Sequence, residues 1–237
     1  MIYLNYNGDI AQLFYLVGVV SVFERLRSQH IIGRLNVYGL VALAGILGPI
    51  VLGIADLTAG LSEPGYNPIR DSISSLALTP MGWLQTVGFL TVGLLAEVFV
   101  VGLFFSIKRG RNFGISAAIL VCFGFGLLLI GAFRTDPIGT SHTIEGTIHH
   151  VTAVAVFWLF PIACLLLAPS LKKDPHWQNL FIYTIIASAL ALVFMIVQIW
   201  LPTSLSWFGL YERILVWNTV IWIEVMAIQL LRLSLLR

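Results

Sequence analysis

Residues 83–105 read WLQTVGFLTVGLLAEVFVVGLFF, and the only charged side chain in that run is Glu97. At about 1.5 Å per residue, about 20 mostly apolar residues cover the roughly 30 Å hydrocarbon core of a bilayer. The stretch therefore has the length and chemistry of a transmembrane helix. Working outward from it, five further runs pass the same test: 37–57, 113–133, 150–168, 179–201 and 214–235. An earlier run, 10–23, is shorter. It is read as a span that leans on its flanking residues, with an interfacial helix as the alternative. The predicted fold is all-α, a polytopic membrane helix bundle of six core transmembrane helices plus an extra N-terminal one, seven in all, N-terminus out and C-terminus in. Residues 1–35 then form a short membrane segment and a basic cytoplasmic loop, and residues 36–237 the six-helix transmembrane domain.

Composition agrees. The chain is 59% hydrophobic and only 10% charged, with a mean hydropathy of +0.95, whereas a soluble domain carries about 25% charged residues. The solvent that suits such a chain is lipid, so the bilayer is its first partner. A net charge of +2, with the basic residues in short clusters between apolar runs, points to no nucleic acid. The two cysteines, Cys122 and Cys164, lie inside apolar runs and are read as packing residues. Residues 1–9 carry no Lys or Arg, so the charged start of a cleavable signal is missing and the first run is expected to be retained.

Punctuation supports the boundaries. Thr79-Pro80 and Asp174-Pro175 each read as an N-cap followed by proline at the first helical position, and Pro202 and Gly209 separate the last two spans. Pro49 and Pro161 fall inside spans and should bend them. Small residues such as Ala44, Gly48, Gly88 and Gly93 allow helices to approach closely. Ten of the thirteen basic residues fall in one alternating set of connections: Arg25, Arg27, Arg34, Lys108, Arg109, Arg111, Lys172, Lys173, Arg232 and Arg237. Only Arg70, Arg134 and Arg213 fall in the other. By the positive-inside rule the first set faces the cytoplasm. Trp83, Trp200 and Trp207 suit the outer interface and Trp177 the inner one.

The outward connections are nonetheless rich in titratable groups: Asp56, Glu63, Arg70, Asp71, Arg134, Asp136, His142, Glu145, His149, His150, Glu212 and Arg213. Asn67-Pro68 reads as a helix start that would put Asp71 and Ser74 or Ser75 on one side. If the residues after 141 are helical, His142, Glu145 and His149 share one face. Such groups suit general acid–base work on an ester or phosphate. They also suit a zinc ion held by His142 and His149 that activates water, although no spacing here is a recognised metal motif. Arg70, Arg134, His142, Glu145 and Arg213 are candidate ligand-binding residues, Arg134 and Arg213 for phosphate. The bland alternative is a set of ion pairs and caps tying helix ends together. Two carboxylates, Glu97 and Glu224, lie roughly 20 Å below the outer end of their spans by count. An intramembrane carboxylate suggests proton coupling, or else a protonated group bonded to a neighbour such as Asn218.

Several short pieces occur in order between these spans: Gly45-Ile-Leu-Gly-Pro49, Pro64-Gly-Tyr-Asn-Pro68, Asp71-Ser-Ile-Ser-Ser-Leu76, Gly82-Trp83 with Gly88-Phe89, Phe133-Arg-Thr-Asp-Pro137 and Gly146-Thr-Ile-His149. In them the chain resembles the bacterial and archaeal multi-pass membrane proteins catalogued as domain of unknown function nine-nine-eight. The likeness runs from about residue 36 to the end. The resemblance implies architecture alone, placed in a prokaryotic cytoplasmic (plasma) membrane, and its motif positions suggest Asp71, Ser74, Asp136 and His149 as candidate catalytic residues. The favoured expectation is an outward-facing Asp/Ser/His/Arg pocket that binds or processes a lipid headgroup or another amphiphile. Its rivals are a non-catalytic subunit among the partners of a larger membrane complex and a small proton-coupled carrier.

Overall fold

The computed structural model describes residues 36–137, 139–201 and 205–236. The run 10–23, together with Arg25, Arg27, Arg34, Pro202 and Arg237, lies outside the described residues. Among those described there is no strand, and six helices are long and apolar enough to cross a membrane. They are α1 (Val37–Ser62), α2 (Gly82–Ser106), α3 (Phe113–Ala132), α4 (Ile144–Lys173), α5 (Phe181–Gln198) and α6 (Phe208–Leu235). Short 3₁₀ turns at Ser74–Leu78 and Gln178–Leu180 precede α2 and α5. The chain is an integral membrane protein, with six apolar helices among its described residues.

Each helix packs on its neighbours in sequence, and α6 closes the set against α1. Backbone approach is close where small residues lie at the seams. A Cβ on Gly93 of α2 would come 2.8 Å from the Leu128 backbone nitrogen of α3, and one on Gly88 2.9 Å from Ala55 of α1. Contacts that close impossible for larger residues let dispersion hold helices together where lipid removes the hydrophobic drive between them. Polar ties add to it: Ser116 of α3 donates to the Ala163 carbonyl of α4 at 2.8 Å, and Trp222 Nε1 of α6 donates to Thr184 Oγ1 of α5 at 3.1 Å. Over its most apolar window α6 is 56% buried and α5 28%, so α6 belongs to the interior and α5 to the lipid-facing rim.

Several boundaries differ from the sequence reading. Helices α4 and α6 start at Ile144 and Phe208, not at 150 and 214, because their first turns carry polar side chains that lower hydropathy without interrupting backbone hydrogen bonds. Thr79 does not cap α2. Its hydroxyl donates to the Leu76 carbonyl at 2.8 Å, and the helix starts after Met81 with no side-chain cap. Asp174 closes α4: one carboxylate oxygen accepts from Lys108 N–H at 2.8 Å and the other from His176 N–H at 2.9 Å. That turn folds Trp177 inward, where it is fully buried. Trp83, Trp200 and Trp207 are exposed at the opposite end.

Candidate functional site at the 63–81 end of the bundle

The segment between α1 and α2 gathers the polar groups. Gly65, at φ 84°, turns the chain back after Glu63. Asn67 Oδ1 then accepts from Ile69 N–H at 2.9 Å, and the Asn67 carbonyl from Asp71 N–H at 2.7 Å. The result is a tight hydrogen-bonded turn, not the α-helix expected from Asn67-Pro68. Asp71 closes that turn: its carboxylate accepts from Asn67 N–H at 2.8 Å and takes Arg70 in two bonds of 2.7 and 2.8 Å. The Arg70 guanidinium holds the Asp71 carboxyl below its ordinary value. Asp71 and Ser74 are therefore not brought together, since a residue in a turn does not share the face its helical spacing implies.

Arg213, on the first turns of α6, fastens the segment to the bundle. Nη1 donates to the carbonyls of Pro68, Asp71 and Gly209 at 2.8, 2.9 and 3.3 Å. Nη2 donates to Asp56 Oδ1 at 3.0 Å and to the Tyr66 hydroxyl, and Nε to Asp56 Oδ2 at 3.4 Å. Every donor of the guanidinium is thus engaged within the protein. Tyr66 in turn donates to the Ser72 carbonyl at 2.9 Å, and burial pushes its phenol up to about 12, so it stays neutral. Gly209 N–H and Leu210 N–H bind the carbonyls of Arg70 and Ile69 at 3.2 and 2.9 Å. A Cβ on Gly209 would stand 2.1 Å from the Asp71 carbonyl oxygen, so no other residue fits there without moving the segment.

With the segment held this way, Ser74 meets residues from two other helices. Its Oγ lies 3.2 Å from Nε2 of His149 on α4 and 3.4 Å from Oε1 of Glu212 on α6. Glu212 Oε2 accepts from Ile73 N–H at 2.7 Å. His149 is buried, and its Nδ1 lies 2.8 Å from the Phe133 carbonyl at the end of α3. A carbonyl only accepts, so Nδ1 carries the proton, and in the neutral ring Nε2 is left to accept from the Ser74 hydroxyl. One hydroxyl proton cannot serve both neighbours. Either it goes to Nε2 while Glu212 is protonated and donates to Oγ, or an imidazolium donates to Oγ while the hydroxyl donates to the Glu212 carboxylate.

Ser74 also lines two narrow cavities, as Phe89 and Ile130 do. One runs into the bundle between apolar side chains, among them Phe89, Phe123 and Phe157, with Glu212 at its polar end. Its volume is about 20 Å³, enough for one or two waters at roughly 10–15 Å³ each. The other, with about 10 Å³, sets Ser74, His149, Gln85, Thr86 and the exposed Arg134 among apolar residues such as Phe89 and Phe133. Gln85, on the first turn of α2, is 1% exposed, and among the described residues neither its Nε2 nor its Oε1 finds a hydrogen-bond partner.

The remaining candidates lie at the edge. Asp136 accepts from the Thr143 hydroxyl at 2.7 Å and from Thr143 N–H at 3.0 Å, bonds that hold its carboxyl below the usual range. Thr143 caps α4 through Gly146 N–H at 3.0 Å. Because α4 starts at Ile144, His142 precedes the helix and stands 3.6 Å from Asp136 instead of sharing a face with His149. Glu145 accepts from Arg134 N–H at 2.8 Å. Among the described residues no three His, Cys, Asp or Glu side chains are placed to hold a metal ion. Glu97 packs on α3 at Gly124, whereas Glu224 lies near Tyr183 of α5, so the two carboxylates occupy different seams. Asn218 serves neither and donates to the Ala187 carbonyl at 3.0 Å.

Compared with known families, the chain matches the one described as "Protein of unknown function (DUF998)" over residues 46–229. The chain belongs to the DUF998 family. The matched stretch takes in every DUF998 residue of the site, from Asp56 to Arg213. Among curated proteins and among solved structures, nothing matches the chain. Two site members went unranked in the sequence reading. Glu212 stood among a dozen outward polar groups with nothing to single it out. Gln85 has no role in that reading, although a lone amide at the start of an apolar span is a readable signal.

Proposed function

We propose that this DUF998 protein binds an amphiphile at the 63–81 end of the bundle, headgroup toward Arg134 and apolar part toward the interior, and processes it with Ser74 and His149. The site end faces outward from a prokaryotic cytoplasmic membrane, with the Lys108–Arg111 and Lys172–Lys173 clusters inside. The observation that carries the reading is the position of Ser74. Its hydroxyl lies between His149 Nε2 and Glu212 and lines two cavities, one apolar toward the interior and one that also carries Gln85, Thr86 and Arg134. A nucleophile within reach of a base whose other nitrogen is anchored is the arrangement that activates a hydroxyl, and here the anchor is the Phe133 carbonyl. The reading keeps Ser74 and His149 as reacting groups and Arg134 as a headgroup contact, and gives Asp71, Asp136, Arg70 and Arg213 the task of holding the segment in place.

Retention of a monoacyl phospholipid through detergent washes, read by native mass spectrometry, tests it. Wild-type protein should keep about one lipid per chain. Ser74→Leu, which intrudes on both cavities, should lower retention at least about tenfold, the ~1.4 kcal/mol scale of losing a few good contacts. Equal retention in a variant of unchanged thermal stability removes the site from consideration.

A further inference from the structure

A buried amide with no partner is costly, of the order of 1–3 kcal/mol for each polar group left unsatisfied. Gln85 bears that cost twice, through Nε2 and Oε1, beside the Ser74–His149 pair. A leucine of similar size would avoid the cost altogether, so packing does not account for the amide. A buried polar group without a partner calls for a specific explanation, a catalytic role among them.

We infer that the Gln85 cavity is an oxyanion pocket, and that the protein is a serine-dependent acyl-ester hydrolase in which Gln85 Nε2–H stabilises the charge developing on the substrate's carbonyl oxygen. The inference rests on the amphiphile reading above and adds to it the bond that is broken. The dimensions agree: room for about one water is room for one carbonyl oxygen. The first carbons of the acyl chain fall to the apolar cavity that Ser74 also lines, and the alcohol part to the Arg134 rim.

The chemistry balances with water as the only co-reactant. His149 Nε2 takes the Ser74 proton as Oγ bonds to the ester carbon, and the carbonyl oxygen becomes an oxyanion held by Gln85. The tetrahedral centre collapses, the carbon–oxygen bond to the alcohol breaks, and the leaving oxygen takes the proton from Nε2. Water then gives a proton to Nε2 and attacks the acyl carbon. Ser74 Oγ leaves with that proton, and a carboxylic acid departs. Throughout, Nδ1–H stays on the Phe133 carbonyl, which keeps the ring turned toward Ser74.

An alkyl fluorophosphonate tests the assignment, because its phosphoryl oxygen takes the place of the carbonyl oxygen while Ser74 Oγ displaces fluoride. Full-length protein in detergent should be labelled at Ser74, located by peptide mass spectrometry, and Ser74→Ala should not be labelled. Gln85→Leu should slow labelling by about 10²–10³-fold, the range for removing one oxyanion donor, while thermal stability is held or raised. Gln85→Asn, which keeps a donor, should fall between them. A structural role predicts the reverse for Gln85→Leu, lower stability and an unchanged labelling rate, and that result overturns the assignment. No labelling of wild-type Ser74 while lipid retention persists defeats the hydrolase inference and leaves the binding reading intact. Loss of both in properly folded protein defeats both.

Discussion

At the scale of single residues, the tightest constraint at this end of the bundle is Arg213. Its side chain is 10% exposed and that of its partner Asp56 12%, so the pair is withdrawn from water, and the guanidinium also carries three backbone carbonyls and a phenol. Leaving one member of such a pair without the other costs about 3–5 kcal/mol. Arg213→Ala and Asp56→Ala are each expected to lower thermal stability in detergent by amounts on that scale, and the double variant by less than the sum. Arg213→Lys should not rescue, because a single ammonium cannot span carboxylate, phenol and carbonyls together. Strict additivity of the two single changes contradicts the pairing. The sequence reading assigned Arg213 to phosphate because only charge type and approximate depth were visible. What already occupied its donors was not.

At the scale of elements, the start of α4 is built by Asp136 and Thr143 together. The Asp136 carboxyl, ordinarily at 3.8, is held lower chiefly by the Thr143 hydroxyl and N–H. A carboxyl depressed in the folded state adds stability in full above its unfolded value, and that stability disappears as pH falls through the lower folded value. Asp136→Asn is therefore expected to melt below wild type at neutral pH, with the two melting curves converging as pH drops below about 3.8. A gap that widens on acidification contradicts the assignment. The same element shows why hydropathy alone does not mark the start of α4. Glu145 and His149 end a hydropathy run, yet the cap at Thr143 puts both inside the helix, and the cap decides where His142 stands.

At the scale of the whole molecule, charge and connectivity divide the two ends. Lys108 N–H meets Asp174 and Gly110 N–H meets Ser170 at the basic end, whereas Asp56, Ser74, His149, Glu212 and Arg213 meet at the other. Orientation is measurable with a membrane-impermeant maleimide on spheroplasts of cells making variants with Cys122 and Cys164 replaced. A cysteine at exposed Thr140 should react in intact spheroplasts, and one at exposed Lys173 only after lysis. The opposite pattern inverts the proposed topology.

The sequence by itself determined the six spans, the all-helical class, the family and the separation of basic from mixed-charge connections. Each depends on hydropathy, charge or motif order along the chain, and a long apolar run admits few answers in lipid because its backbone must hydrogen-bond within itself. Only the tertiary structure decided which polar groups at the site end act together. Ser74 lies 75 positions from His149 and 138 from Glu212, and they meet because α6 closes on α1 and Arg213 pulls the 63–81 segment over the helix ends. The same closure leaves Gln85 buried beside them without a partner. Which donor finds which acceptor depends on packing in three dimensions, and local sequence chemistry carries no record of it.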